Sequence, residues 1–293
     1  MKVENKGDKG NPWHNDSNGE FTTAHGGSVS AETREEIIRQ SNFVEEELTT
    51  LDDDTRSIIK NGFRNLIEKY PAGIGEIGFK LDMRTTYTVG YNTMALNSFD
   101  AFAPDYKNMG NVLGPSFGIT LLPDKFMFDA AYSAKELLYR NNSPLARNAR
   151  KFGPQEAVEA ILSHEYAHAL STMYALRKQP ELLSFIKQWQ SQSMSYEEIE
   201  SSADVKMFEN FHKNNYMLED EIVSEMANEL KIGMDKFWDV VAKEYGRYAR
   251  HSYLEFFAEA FMCMRHLQDN EKTDFMRSFE RIFNRKYKEV FGG

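Results

Sequence analysis

Residues 154–170 read PQEAVEAILSHEYAHAL, and this pattern predicts a buried helix. Pro154 suits the first turn, where its missing N–H leaves no hydrogen bond unmade. Small and apolar side chains recur at helical spacing and supply one packed side: Ala157, Ala160, Ile161, Ala167 and Leu170. The segment HEYAH at 164–168 lies well inside this helix, among neighbours that favour burial.

The two histidines of this segment, His164 and His168, are spaced to share one metal ion. Four helical residues advance about 400°, so both imidazoles project from one face, one turn apart. That separation lets two nitrogens meet an ion at roughly 2.1 Å. Glu165 follows about 100° further round, beside the ion, where a carboxylate can take a proton from a water on the metal. The alternative is two surface histidines that share a face by coincidence, but a buried pair without a partner would be costly.

Composition and charge narrow the class of protein. The chain has 293 residues, 41% hydrophobic and 27% charged, which is ordinary for a globular protein. A net charge of −10 disfavours a nucleic-acid partner, because an acidic surface repels phosphates. No apolar run approaches the roughly 20 residues of a membrane span, and the N-terminus lacks a secretory h-region. We therefore expect no membrane partner, no signal peptide, and a location in the cytoplasm of the producing cell.

The third metal ligand must be a histidine or a carboxylate, because Cys263, expected in the core, is the only cysteine. The third histidine of a metzincin would stand at position 174, which is Tyr174. One candidate is Glu255, which shares a helix face with Glu259 in the run EFFAEAF at 255–261. One of these carboxylates can bind the metal while the other hydrogen-bonds a ligating histidine. The alternative for Glu255 is a helix-capping role with the serine three residues before it.

Glu200 is the alternative metal ligand. It opens the segment ESSAD at 200–204, which resembles the E-x-x-A-D element of integral-membrane CAAX-processing gluzincins. The lack of a predicted membrane span weakens that match. Glu200 also stands close to Glu197 and Glu198, so a solvated helix face is a simpler interpretation.

HEYAH, followed by YA-x5-EFFAEAF from Tyr248 onward, resembles the catalytic domain of anthrax lethal factor and related phage-encoded metallopeptidases. The resemblance covers roughly residues 117–270. It implies a gluzincin site with Glu255 as third ligand and Tyr248 as the hydroxyl that steadies the oxyanion. Tyr245 is the alternative hydroxyl, and a core position is the alternative role for Tyr248. The gap of 87 residues between His168 and Glu255 is long, so we expect an insertion between about 178 and 235.

The remaining patterns predict an α+β fold, mostly helical and zincin-like. Alternating, β-branched residues at 76–92 and a run at 117–122 predict short strands, and hence a small mixed β lobe over 30–123. From 124 to 293 the pattern is almost wholly helical, and this lobe carries the zinc site. Together the two lobes form a single zincin-like domain over 30–293.

Apolar stripes further predict a helix that ends at Tyr70-Pro71 and a final helix with its stripe at Phe275, Phe279, Ile282, Phe283, Tyr287 and Val290. Two lone histidines, His212 and His266, are expected at the surface, and His251 is expected to be exposed or to line the cleft.

Two functions from different classes follow. The first is a zinc-dependent endopeptidase with one Zn²⁺ per chain, Glu165 as general base and a protein or peptide substrate. The second is a phage virion-associated structural or cargo protein that keeps a zinc site with little or no peptidase activity. Residues 1–29 predict a disordered tail, and NPWHNDSNGEFTTAHGG at 11–27 resembles short segments of phage head proteins. Because a structural zinc site has no need of Glu165, the peptidase is favoured.

Overall fold

A computed structural model of the chain describes residues 52–71, 152–178 and 217–291, together with 135, 138 and 143–146. It also describes the backbones of six short strands. The six long helices are α1 (Asp53–Lys69), α2 (Pro154–Lys178), α3 (Leu218–Leu230), α4 (Met234–Tyr245), α5 (Tyr253–His266) and α6 (Asp274–Phe291). Two 3-10 turns accompany them, Tyr248–Arg250 and Asp269–Glu271.

The predicted α+β fold, with a small mixed β lobe before a helical lobe, is wrong. The strands are described by their backbones alone. Of the residues whose side chains are also described, 84% are helical and none lies in a strand, so the described fold is helical. Alternation over 76–92 is a local signal, whereas fold class depends on which faces are buried together. The buried side chains of the described core come almost entirely from the helices. The boundaries predicted at residues 29 and 123 fall outside the described residues.

The six strands are known by their backbone pairing. β1 (His14–Asn15) pairs antiparallel with β2 (Glu20–Phe21). The other four strands are β3 (Asn42–Phe43), β4 (Phe79–Met83), β5 (Ala95–Asp100) and β6 (Ser116–Leu121). They lie side by side in the order β3, β4, β6, β5, with β3, β4 and β6 parallel and β5 antiparallel to β6. Backbone pairing alone does not define a packed lobe, so the fold class rests on the helices.

Helices α1 and α6 confirm the predicted apolar stripes. The Asp52 carboxylate caps α1 by accepting a hydrogen bond from the Thr55 N–H at 2.9 Å, and the helix ends at Lys69, with Tyr70 as its C-cap before Pro71. On α6 the predicted stripe is buried except for Val290, which is partly buried and packs on the core.

The central helix is α5, which packs against α2, α3, α4 and α6. Every residue from Phe256 to Met264 is buried, including Cys263 as predicted. A helix apolar on all sides belongs in a core, so the carboxylate that interrupts this run, Glu259, needs a polar partner. None of the described helices offers the length and apolarity that a bilayer crossing requires.

Candidate metal centre

His164 and His168 lie on the face of α2 that packs against α5. Their exposed fractions are 8% and 7%, and their ring centroids are 5.0 Å apart. The neighbouring Ser163, Tyr166 and Ala167 are fully buried. The interpretation as two surface histidines is therefore wrong.

Glu255 meets both histidines from α5. Its Oε2 atom lies 3.2 Å from His164 Nε2 and 3.9 Å from His168 Nε2. The Ser252 hydroxyl caps α5 by accepting a hydrogen bond from the Glu255 backbone N–H at 3.1 Å. The cap therefore uses only the Glu255 backbone N–H, and the Glu255 side chain reaches the histidines and does not close a capping box with Ser252.

These three residues form a compact group of potential ligands. One ligand atom from each of His164, His168 and Glu255 lies within 4.8 Å of the other two. The Glu255 Oε2 atom is buried and accepts no hydrogen bond from the described residues, which is costly for a carboxylate. A cation between the three atoms would satisfy this oxygen and both nitrogens. The group could hold a metal ion.

Glu259 lies one turn after Glu255 and contacts the other side of the His164 ring. Its exposed fraction is 2%, and its Oε1 atom lies 3.4 Å from His164 Nδ1. If a metal ion replaced the proton on Nε2, a proton kept on Nδ1 by the Glu259 carboxylate would leave the Nε2 lone pair free to bind that ion. Each nitrogen of the His164 ring therefore faces one carboxylate, Nε2 that of Glu255 and Nδ1 that of Glu259.

The pKa values of His164 and His168 are shifted in opposite directions. Burial would lower the pKa of His164, but the Glu255 and Glu259 carboxylates outweigh it and raise the pKa to about 10. The pKa of His168 is lowered to about 3, first by burial and then by the neighbouring His164. Burial opposes ionisation of Glu255, yet the two histidines and a tyrosine hydroxyl lower its pKa. A metal ion that binds His164 must therefore displace a proton.

Tyr248, in the 3-10 turn before α5, completes this side of the group. Its ring centroid lies 6.0 Å from that of His164, and its hydroxyl is close enough to the Glu255 carboxylate for each to shift the pKa of the other. Burial, then the charges of Glu255 and Glu165, raise the pKa of Tyr248, so the hydroxyl keeps its proton. Tyr245 instead packs in the core with an exposed fraction of 1%. Of the two predicted tyrosines, the structure brings only Tyr248 to the group.

The other predicted residues have mixed outcomes. Glu165 is half-buried beside His164, and its charge acts on both His164 and Tyr248. Glu200, His212 and most of the expected insertion lie outside the described residues. His251 is exposed, with its ring centroid 5.6 Å from that of Tyr248.

The prediction that His266 lies at the surface is wrong. His266 is 9% exposed, because the last turn of α5 packs its ring against α2. There it contacts Ser163, and Arg265 reaches the same hydroxyl. The role of these three residues was not predicted. The sequence carried one signal of this contact, namely that Ser163 and His266 each stand on an otherwise apolar helix face.

Replacing Glu259 by glutamine should weaken metal binding roughly 10- to 100-fold, because the amide holds the His164 Nδ1 proton less strongly. Competition with a chromophoric chelator measures the affinity. Glu280→Gln is the matched control, since Glu280 is a partly exposed carboxylate that pairs with Lys272 at 2.9 Å, away from the group. Equal affinities in the two variants would remove Glu259 from the metal centre.

No protein-family model matches the chain, and neither a curated protein nor a solved structure does so.

Proposed function

We propose that this chain is a zinc-dependent endopeptidase that holds one Zn²⁺ ion through His164, His168 and Glu255. The observation that carries the proposal is the convergence of three buried donors, with Glu255 Oε2 at 3.2 and 3.9 Å from the two Nε2 atoms. Two imidazole nitrogens and one carboxylate oxygen are a donor set of catalytic zinc, which keeps its fourth position for water or substrate. A structural site uses four protein ligands, and only three lie together among the described residues.

The chemistry follows from the residues beside the donors. When bound, zinc acts as a Lewis acid that lowers the pKa of water towards 7. Glu165 accepts the proton that the attacking water loses, and then returns it to the leaving amine. The protonated Tyr248 hydroxyl donates a hydrogen bond to the charge that develops on the carbonyl oxygen of the substrate. Glu259 holds the His164 ring in one tautomer throughout.

Metal analysis joined to peptide cleavage tests this proposal. We expect inductively coupled plasma mass spectrometry to find about one zinc per chain, and a peptide library to yield internal cleavage products. A chain without bound metal would refute the metal centre. Stoichiometric zinc without cleavage of any peptide would refute the peptidase and favour the virion-associated protein with a zinc site.

Tyr248→Phe should retain zinc but reduce turnover by roughly 10²-fold, because one donor to the developing oxyanion is lost. Steady-state kinetics on a library-derived peptide measures the effect. Tyr245→Phe is the matched control, since its buried hydroxyl makes no hydrogen bond with the described residues, and we expect unchanged turnover. A Tyr248→Phe variant as active as Tyr245→Phe would exclude the oxyanion role.

Glu255→Ala and Glu200→Ala separate the two predicted third ligands. Glu255→Ala should weaken zinc affinity by more than the roughly 10- to 100-fold expected for loss of a residue that only orients a ligand. Glu200→Ala should behave as a surface change, with an effect on unfolding free energy of about 0.5 kcal/mol or less. Dialysis followed by metal analysis gives the comparison, with circular dichroism as the check on folding. Release of zinc by Glu200→Ala alone would overturn the assignment of Glu255.

A further inference from the structure

A buried polar cluster joins α2 to α5 next to the metal group, which is the set of His164, His168 and Glu255. The mechanism proposed above does not use this cluster. Ser163 is fully buried, and its hydroxyl donates to the Glu159 carbonyl oxygen at 2.6 Å. The same hydroxyl oxygen lies 3.1 Å from Arg265 Nη1 and 3.1 Å from His266 Nε2.

Each hydrogen-bonding capacity of the Ser163 hydroxyl is in use. A hydroxyl has one proton and two lone pairs, and its proton is directed at Glu159. Both lone pairs are therefore available to Arg265 and His266. Burial, followed by the charge of Arg265, lowers the pKa of His266 to about 3, so the ring is neutral. Its Nε2 atom must then carry the proton that it donates to Ser163.

The contacts fix how α2 and α5 lie against each other. Ser163 meets Arg265 and His266, His164 meets Glu259, and His168 approaches Glu255. Residue numbers rise along α2 as they fall along α5, so the two helices are antiparallel. Apolar contacts are individually non-directional, whereas hydrogen bonds require a defined direction, so these bonds add a directional constraint to the packing of the two helices. Ser163, which makes these hydrogen bonds, directly precedes His164, the first candidate ligand.

Arg265 connects a third helix to the same point. Its guanidinium lies 5.9 Å from the ring centroid of Tyr70, at the C-terminal end of α1. Burial lowers the pKa of Arg265, so keeping a guanidinium there has a solvation cost. An apolar residue would avoid that cost but would not form a directional bond to Ser163.

We propose that Ser163, Arg265 and His266 form a positioning clamp that sets the rotation of α2 on α5 and so brings His164 and His168 to Glu255. The inference rests on the proposed metal centre. None of the three side chains touches the donor atoms, so they act as positioning residues and not as ligands.

Ser163→Ala, compared with Ser171→Ala, tests the clamp. Ser171 is also a fully buried serine on α2, close to the second histidine, but it bonds Glu219 and the Leu218 N–H of α3. The protein is loaded with Co²⁺, whose visible absorption reports the coordination geometry. Thermal melting measures the stability of each variant, and chelator competition measures its metal affinity.

We expect both variants to lose thermal stability, but only Ser163→Ala to bind metal about tenfold more weakly and to change the Co²⁺ spectrum. The same affinity and spectrum in both variants would overturn the clamp and leave a structural hydrogen bond. A wild-type protein that takes up no Co²⁺ or Zn²⁺ would instead refute the metal centre, and the clamp with it.

A second pair of variants guards against misfolding of Ser163→Ala. The amide of a glutamine at position 266 can place an N–H donor near the position of the imidazole Nε2, whereas leucine cannot. His266→Gln should therefore keep the wild-type spectrum and metal affinity within about threefold, and His266→Leu should match Ser163→Ala. Equal metal binding in the glutamine and leucine variants would contradict a role for the hydrogen bond.

Discussion

Glu165→Gln should keep its zinc and its fold but lose on the order of 10³-fold or more in peptide turnover. Glutamine has nearly the same size and shape as glutamate, but it cannot accept a proton from water near neutral pH. Glu165 lies beside His164 and outside the three-donor group, so metal content should not change. The measurement is kcat on a library-derived peptide, with zinc determined on the same sample.

Glu156→Gln is the matched control for this change. It makes the same substitution on the first turn of the same helix, at an exposed position far along α2 from the histidines. We expect its turnover to equal that of the wild type. If Glu165→Gln retained both zinc and near-normal turnover, another group would have to act as the base.

The double variant His164→Ala/His168→Ala should lose its zinc altogether on dialysis, because two of the three protein donors are gone. It also removes the partner that Glu259 contacts at 3.4 Å, so a nearly fully buried carboxylate loses its partner. We therefore expect the free energy of unfolding to fall as well. Metal analysis measures the first effect, and circular dichroism distinguishes it from a loss of fold.

His251→Ala is the control for the histidine variants. His251 lies close to Tyr248 but is exposed and stands outside the three-donor group. This variant should keep stoichiometric zinc. Stoichiometric zinc in the double alanine variant after dialysis would show that the metal binds elsewhere.

Local sequence patterns determined the helices and the histidine pair. The apolar stripe before Tyr70-Pro71 predicted α1, and the spacing of His164 and His168 predicted their common face on α2. Both depend on contacts within one or two helical turns, where the 3.6-residue period leaves little freedom. The resemblance of EFFAEAF also indicated Glu255, although by motif and not by geometry.

The long-range packing of the chain, by contrast, could not be deduced from local patterns. Alternation at 76–92 suggested a β lobe, but it carries no information about which faces pack together. The error at His266 has the same origin, because a lone histidine near a helix end looks exposed until the partner helix is known.

Only the tertiary structure decided how the parts of the metal group meet. His168 and Glu255 are 87 residues apart, and no periodic pattern spans that distance. The antiparallel packing of α2 on α5 brings these two residues together. It also places Tyr248, and not Tyr245, beside His164, and it lets Ser163 bond the end of α5. The sequence by itself determined which residue types could bind a metal and on which helix face the histidines lie. The packing of the helices decided which of those residues come within reach of one ion, because that depends on long-range burial.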